Sequence, residues 1–547
     1  MNDMQSFSRF IPMWSERFRV TPMRAMLFGN MLAVFFLILL SNLEVLPFRF
    51  WDFVFFSVLF FLIALFRSGF VFALLVGMLP LETVDLAPLE FGIGIRPYQF
   101  LAALLAVALV IRLVTKRARW PLFLPARIDS VLFVFLLMPL IAIPFLPFSE
   151  FASVGLRQGI ILLSFGLLYF LGRVFLKKES DVRIALMFFL SSVFVVSCYA
   201  FWQNIRFRAG LPSFEVMSGR PNGTLPEADF FGGLLSMILS GMIPFGLSFF
   251  FGETVSIARK AVFVLFLFVF SLLLILSVAR SGWLAAVIGM AVGAGTFFLH
   301  RGLLRALRRR DGGFFRNALS GKLFVGMPIL LAIGAVLLFH LTPFDVFDRG
   351  RSVSSGLQKI TVSCDRADTD LPGTIASVDE LMPLGCRHIL LEEIEAEKGS
   401  GHFVRETYRP DPNIDMRKNI YVESWKLAKA YPMSGIGFGN LSRFLGIDGN
   451  GRGLNASNVF LEVWIGSGIF GFILFIIFWF SFPILLLRRI LRVSDDRMAL
   501  LSISFLASWL ALTVFNSFNS GLLLGSLWIF FAASVGGFSS FGGSTPE

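Results

Sequence analysis

Long apolar runs separated by short polar segments dominate the chain. They lie at 27–46, 51–66, 69–83, 98–113, 129–146, 157–175, 184–204, 230–251, 261–279, 281–299, 323–341, 459–487, 498–516 and 520–538. A helix needs about 20 mostly apolar residues to cross the hydrocarbon core of a bilayer. The second, third and fourth runs are short enough to be tilted, re-entrant or merged, so the pattern predicts 12 to 14 spans. The fold class it predicts is all-α, a polytopic integral membrane protein. Five regions follow: an arm at 1–26, a first bundle of about 11 spans at 27–341, a long polar segment at 342–457, further spans at 458–538 and a tail at 539–547.

Two polar regions carry patterns of their own. The arm mixes aromatic and basic residues (FSRFIPMWSERFRV), which predicts a helix lying in the membrane interface. The run after it continues to Leu46 with no small-residue cleavage site, so it reads as a span that stays. A loop as long as 342–457 is usually functional or a small domain. It contains two helical patterns: SVDELMPLGCRHILLEEIEAEKG, with Leu381, Ile389, Leu390 and Ile394, and NIYVESWKLAKAY, with Ile420, Trp425, Leu427 and Ala428. These predict short amphipathic helices, on a leaflet or roofing a cavity.

Composition agrees, with 56% hydrophobic and only 15% charged residues. The net charge of +12 resembles a nucleic-acid footprint until it is sorted by side. With the N-terminus inside, Arg112, Lys116, Arg117, Arg119, Lys177, Lys178, Arg301, Arg305, Arg488 and Arg489 all fall on the inner side. The short outer segments hold only Arg49, Arg96, Arg157, Arg206, Arg208, Arg220 and Arg280. Basic residues collect in cytoplasmic loops, so the charge reads as membrane orientation, with both termini cytoplasmic, 342–457 outside and no nucleic-acid partner. Cys198 lies in an apolar run and reads as packing; Cys364 and Cys386 share the outer segment, where a disulfide and two free thiols are both open. There is no CxxC or HExxH spacing and only four His, so neither a metal site nor a cofactor is expected.

The candidate chemistry lies in the outer segments. Gly219-Arg220-Pro221-Asn222-Gly223-Thr224 is a turn-rich stretch that sets an Arg above a span. Arg280, in LSVARSGWLAA, is the one charge in an apolar stretch of 261–299 and needs a partner or access to the interface. The planar fork of Arg suits diphosphate, which it binds through paired charge-assisted hydrogen bonds. The plainer reading makes Arg220 a solvated loop residue and Arg280 a residue that snorkels from a helical hairpin. Gly435, Gly437 and Gly439 resemble a nucleotide loop only superficially, because no parallel-sheet context surrounds them.

Taken in order, Arg220 to Thr224, Val278-Ala279-Arg280-Ser281-Gly282-Trp283, Trp425 through Tyr431-Pro432 to Gly437, and Ser457-Asn458-Val459-Phe460-Leu461-Glu462 with Gly466 and Gly468 resemble the motifs of the O-antigen ligase and polymerase superfamily. The resemblance covers roughly residues 215–480, including a large outer loop. It implies a metal-independent glycosyltransferase of the bacterial inner membrane, acting on the periplasmic face on a glycan carried by undecaprenyl diphosphate. The acceptor would be another glycan or a lipid, with other polysaccharide-export proteins as further partners. Arg220 and Arg280 would grip the diphosphate and stabilise charge on the leaving group. Asn222, Thr224, Ser281, Ser457 and Asn458 would line the substrate site.

One position departs from the pattern. Ligases of the family typically have His-Asn where this chain has Ser457-Asn458, and serine has no useful basicity near neutral pH. Glu462, four residues beyond Asn458 on the same helical face, is the candidate base, with Asp229, Glu227, His388 and His402 as others. The departure favours polymerisation of O-antigen or exopolysaccharide repeats over transfer to lipid A-core. A transporter or flippase would place ionisable groups in mid-span, where this chain has few; an inert scaffold is the remaining alternative.

Overall fold

The structure, a computed structural model, describes residues 22–251, 255–307, 314–390, 393–447, 453–492 and 495–536. The predicted interfacial helix, up to residue 21, and the 539–547 tail lie outside the described residues. Every one of the apolar runs falls on a helix. Among the described residues nine helices are long and apolar enough to cross a membrane: Pro22–Asn42, Pro97–Val114, Phe151–Phe175, Glu179–Arg208, Ala228–Phe250, Ile257–Leu276, Arg280–Gly302, Val459–Arg492 and Asp496–Asn516. Phe50–Phe66, Ser68–Met78, Leu323–Leu338 and Gly525–Gly536 are shorter apolar helices, and Arg127–Ile141 covers the fifth run. The chain is an all-α polytopic membrane protein.

The bundle has two chemically distinct ends. At one end Arg173 Nε donates to Asp129 Oδ1 at 3.0 Å, Tyr169 donates to the same carboxylate, and Arg489 donates to the carbonyls of Ser534 and Val535. Asp129 and Arg173 are both buried within predicted spans, so the spans carry more charge than expected. The pair is nonetheless fully hydrogen-bonded, as buried ions must be. At the other end lie Arg220, Arg280, the Glu82–Arg96 pair at 2.6 Å, and the described residues of 342–457.

Small residues let the central helices approach closely. A Cβ on Gly282 would meet the backbone of Gly232, so Ala228–Phe251 and the helix that starts at Arg280 touch main chain to main chain. That contact fixes the height of Arg280 over the bundle. The longest of these helices, Val459–Arg492, is broken at Gly468, whose φ of 68° suits glycine. There the strand of backbone from Pro432 to Gly439 crosses it: Ile436 N donates to Ile465 O and Ile469 N to Pro432 O, both at 2.8 Å. The GIGFG stretch is therefore a main-chain docking segment.

The polar segment differs from expectation. Besides helices it contains a three-stranded antiparallel sheet, in the order β2-β1-β3, from β1 (Leu357–Cys364), β2 (Cys386–His388) and β3 (Phe403–Pro410). The acidic helix predicted over 377–399 is not formed. Gly385, in the left-handed region, ends a 3-10 turn at Val378–Leu384; Cys386–His388 then pairs with β1, and only Ile394–Gly399 is helical. Cys364 lies opposite Cys386 in the register, and the two form a disulfide. Ile360, Val362, Ile375 and Leu381 build a small core around it. The second predicted helix is present as Pro412–Ala430, with Ile420, Leu427 and Ala428 buried against the bundle and Trp425 set edge-on to Trp464.

Candidate active site

Arg220 sits at the end of the turn Met217–Arg220. Its Nη2 donates to Asp229 Oδ1 at 2.8 Å and its Nε to the Ser277 carbonyl at 3.0 Å. The Ser277 carbonyl belongs to the turn that launches the Arg280 helix. In that turn Val278 has φ of 53°, a conformation that a β-branched residue adopts only under strain. Strain of this kind persists where the surroundings over-determine it, often at functional sites. The result is that Arg280 is the first residue of its helix, with its guanidinium aimed out of the bundle. Trp283 Nε1 pins the same turn by donating to Leu274 O.

Arg280 Nη1 donates to Asp411 Oδ2 at 3.1 Å; the arginine side chain is 27% exposed and the aspartate 1%. Asp411 immediately precedes the Pro412–Ala430 helix and donates its own N–H to Gly356 O, so it carries the 342–457 segment down onto Arg280. A third guanidinium joins them. Arg349, on the helix Val346–Ser355, lies against Phe344 and within electrostatic reach of Arg220, Arg280, Asp411 and Asp229. Burial, and then the two neighbouring guanidiniums, push it down to about 10. Arg220, Arg280 and Arg349 thus share one charged cluster with Asp229 and Asp411.

The predicted substrate-binding residues divide. Asn222 and Thr224 are buried, and their polar atoms hold backbone: Asn222 Nδ2 donates to Leu225 O, and Thr224 Oγ1 to Pro80 O. They build the turn beneath Arg220. Asn458 caps the Val459–Arg492 helix, its Oδ1 accepting from Phe460 N and Leu461 N, and its Nδ2 donating to Ser517 O. Ser281 accepts from Asn519 Nδ2 at 3.0 Å. Ser457, at φ of 48°, has its carbonyl facing the Tyr421 hydroxyl of the Pro412–Ala430 helix.

Glu462 lies one turn beyond Asn458. Its Oε2 is buried with no hydrogen-bond partner among the described residues, and the Ser520 hydroxyl is its polar neighbour. It faces a cavity of about 330 Å³. The connector Ser517–Ser520 thus touches Asn458, Ser281 and Glu462 in turn. Asn519 and Ser520 are consecutive, with Cα atoms about 3.8 Å apart, so the cavity and the arginine cluster flank one short strip of chain. Of the other candidate bases, Asp229 is held by Arg220, and Glu227 directly precedes it at the start of that helix. His388 ends β2 and His402 immediately precedes β3, with His402 Nδ1 facing Glu397 Oε2 at 3.2 Å. Arg349, Asp411, Asn519 and Ser520 had no signal in the sequence, because each gains its meaning from a partner far along the chain.

The family model described as O-antigen ligase matches residues 263–476, so that part of the chain is similar to that family. The match supports a membrane protein that processes glycans in the manner of an O-antigen ligase or polymerase. It includes Arg280, Arg349, Asp411 and Glu462 but not Arg220, which the structure joins to it through the Ser277 carbonyl. No curated protein and no solved structure matches the chain.

Proposed function

We propose that this protein transfers a glycan from a polyprenyl-diphosphate carrier, of the undecaprenyl type, on the periplasmic side of the bacterial inner membrane. The observation that carries the reading is the cluster of Arg220, Arg280 and Arg349 at the ends of apolar helices, with Asp229 on Arg220 and Asp411 on Arg280. A lipid diphosphate has its charge at that height. As the bond from the sugar to the diphosphate breaks, charge grows on the leaving oxygens, and pre-placed guanidiniums stabilise that change without reorganising. Asp229 and Asp411 serve as counter-ions until the diphosphate arrives. Glu462 takes the proton from the acceptor hydroxyl, in place of the histidine that Ser457 replaces. Asn222, Thr224 and Asn458 act through the backbone that they hold.

Polymerisation of O-antigen or exopolysaccharide repeats is the preferred reaction, on the ground of Ser457. Transfer of finished glycan to lipid A-core is the second reading, favoured by the description of the matching family. The test is transfer by Arg220→Ala and Arg280→Ala proteins inserted at normal levels. Loss of one such stabilising group should lower turnover about 10²–10³-fold; turnover within twofold of the parent rules the reading out. The surface glycan of a deletion strain separates the two reactions. Single repeats indicate a lost polymerase, and long chains left on the carrier indicate a lost ligase.

A further inference from the structure

We infer that the cavity beside Glu462 is the acceptor subsite, and that it takes an uncharged, hydroxyl-bearing sugar as the acceptor's terminal residue. The inference rests on the glycan-transfer reading and adds to it where the acceptor sits and what chemistry it has.

At about 330 Å³ the cavity lies near the lower end of ligand pockets, which run from about 300 to 1,000 Å³. Gln158, Ser442 and Asn455 bring uncharged polar groups to it, and Phe438 and Leu522 supply apolar walls. A sugar ring needs both kinds of surface, polar groups for its hydroxyls and apolar ones for its C–H faces. Glu462 is the one charged side chain among the described lining residues. Its carboxylate has two oxygens and only the Ser520 hydroxyl as polar neighbour, so it has room to accept from a hydroxyl in the cavity. An acidic sugar would bring a second negative charge beside that carboxylate, with no Lys or Arg among the described lining residues to balance it.

The step that follows is balanced within the site. An acceptor hydroxyl gives its proton to the Glu462 carboxylate, and its oxygen forms the bond to the anomeric carbon of the donor. The bond from that carbon to the diphosphate oxygen breaks, and the electron pair leaves on the diphosphate, against the arginines. Asn519, on Ser281, and Ser520, beside Glu462, are consecutive residues, so the connector sets the spacing between the two halves.

The experiment uses the full-length protein in vesicles with a polyprenyl-diphosphate-linked glycan, and compares two acceptors that differ only in whether the terminal sugar is a neutral hexose or the matching uronic acid. The unmutated protein should use the neutral acceptor at least tenfold better in kcat/KM. Ser442→Phe, which fills the cavity, and Gln158→Leu should raise the acceptor KM about tenfold while the donor KM stays within twofold. Equal use of the two acceptors, or an acceptor KM unmoved by both variants, overturns the subsite while leaving donor transfer standing. A parent protein that never consumes the donor overturns the glycan-transfer reading and this one together.

Discussion

Arg349 meets Arg220 and Arg280 from a position 129 and 69 residues downstream, where burial and those two guanidiniums outweigh the attraction of Asp411 and Asp229. Its pKa is pushed down, so the sign is that of a buried cation. The fold bears the repulsion at every pH below about 10, and is relieved of it only as the pH rises through that value. Arg349→Met should therefore raise the melting midpoint of the empty protein and abolish the extra stabilisation given by a prenyl diphosphate. A thermal-shift titration with and without that lipid checks both halves. For the same reason donor binding should stay flat from about pH 7 to 9 as far as the arginines are concerned, and weaken above about 10. Arg220 and Arg280 were legible in the sequence because each sits in a short motif at a predicted span end. Arg349 was one basic residue among many in a polar segment, and Asp411 looked like any loop carboxylate. Asn222, Thr224 and Asn458 were noticed for their motifs, but their side chains hold backbone, a role that spacing cannot show.

At the scale of elements, the fourteen apolar runs became fourteen helices because burial in lipid or bundle leaves the backbone no other way to satisfy its polar groups. The sheet was missed for a different reason. In LQKITVSC the residues Ile360, Val362 and Cys364 alternate with Lys359, Thr361 and Ser363, a period-2 pattern that places the first three in the core. The helix-like spacing of 377–399 competes with that pattern, although Pro383 and Gly385 argue against a continuous helix there. The Cys364–Cys386 bond closes 22 residues of chain, so Cys364→Ser should cost the sheet about 3 kcal/mol. Hydrogen exchange of the 357–410 amides, with and without reductant, would read that loss. Gly468→Ala places a Cβ against the Met433 carbonyl in a left-handed conformation. The conformation alone costs about 1–2 kcal/mol. This variant should lower thermal stability and turnover together, through the backbone that carries Gly437 and Gly439 into the cavity wall.

For the whole molecule, the fold keeps the two predicted sides of the charge pattern at separate ends. The residues predicted to face outward, Arg96, Arg220 and Arg280, share one end of the bundle with 342–457, and Arg173 and Arg489 share the other. A reporter fused at residue 400 should report the periplasm; a cytoplasmic signal would reverse the orientation. The arrangement also explains why the site spans more than the family match. Residues 263–476 hold the second and third arginines and Glu462, but Arg220 and the Ser517–Ser520 connector come from outside them. The central claim is that three guanidiniums form one diphosphate site. Its most direct measurement is equilibrium binding of a prenyl diphosphate and the matching monophosphate to the purified full-length protein, alongside Arg220→Ala, Arg280→Ala and Arg349→Ala. Tighter binding of the diphosphate, with each variant weakening it about tenfold or more, is the expected result. Equal affinity for the two lipids, unchanged in all three variants, would contradict the account.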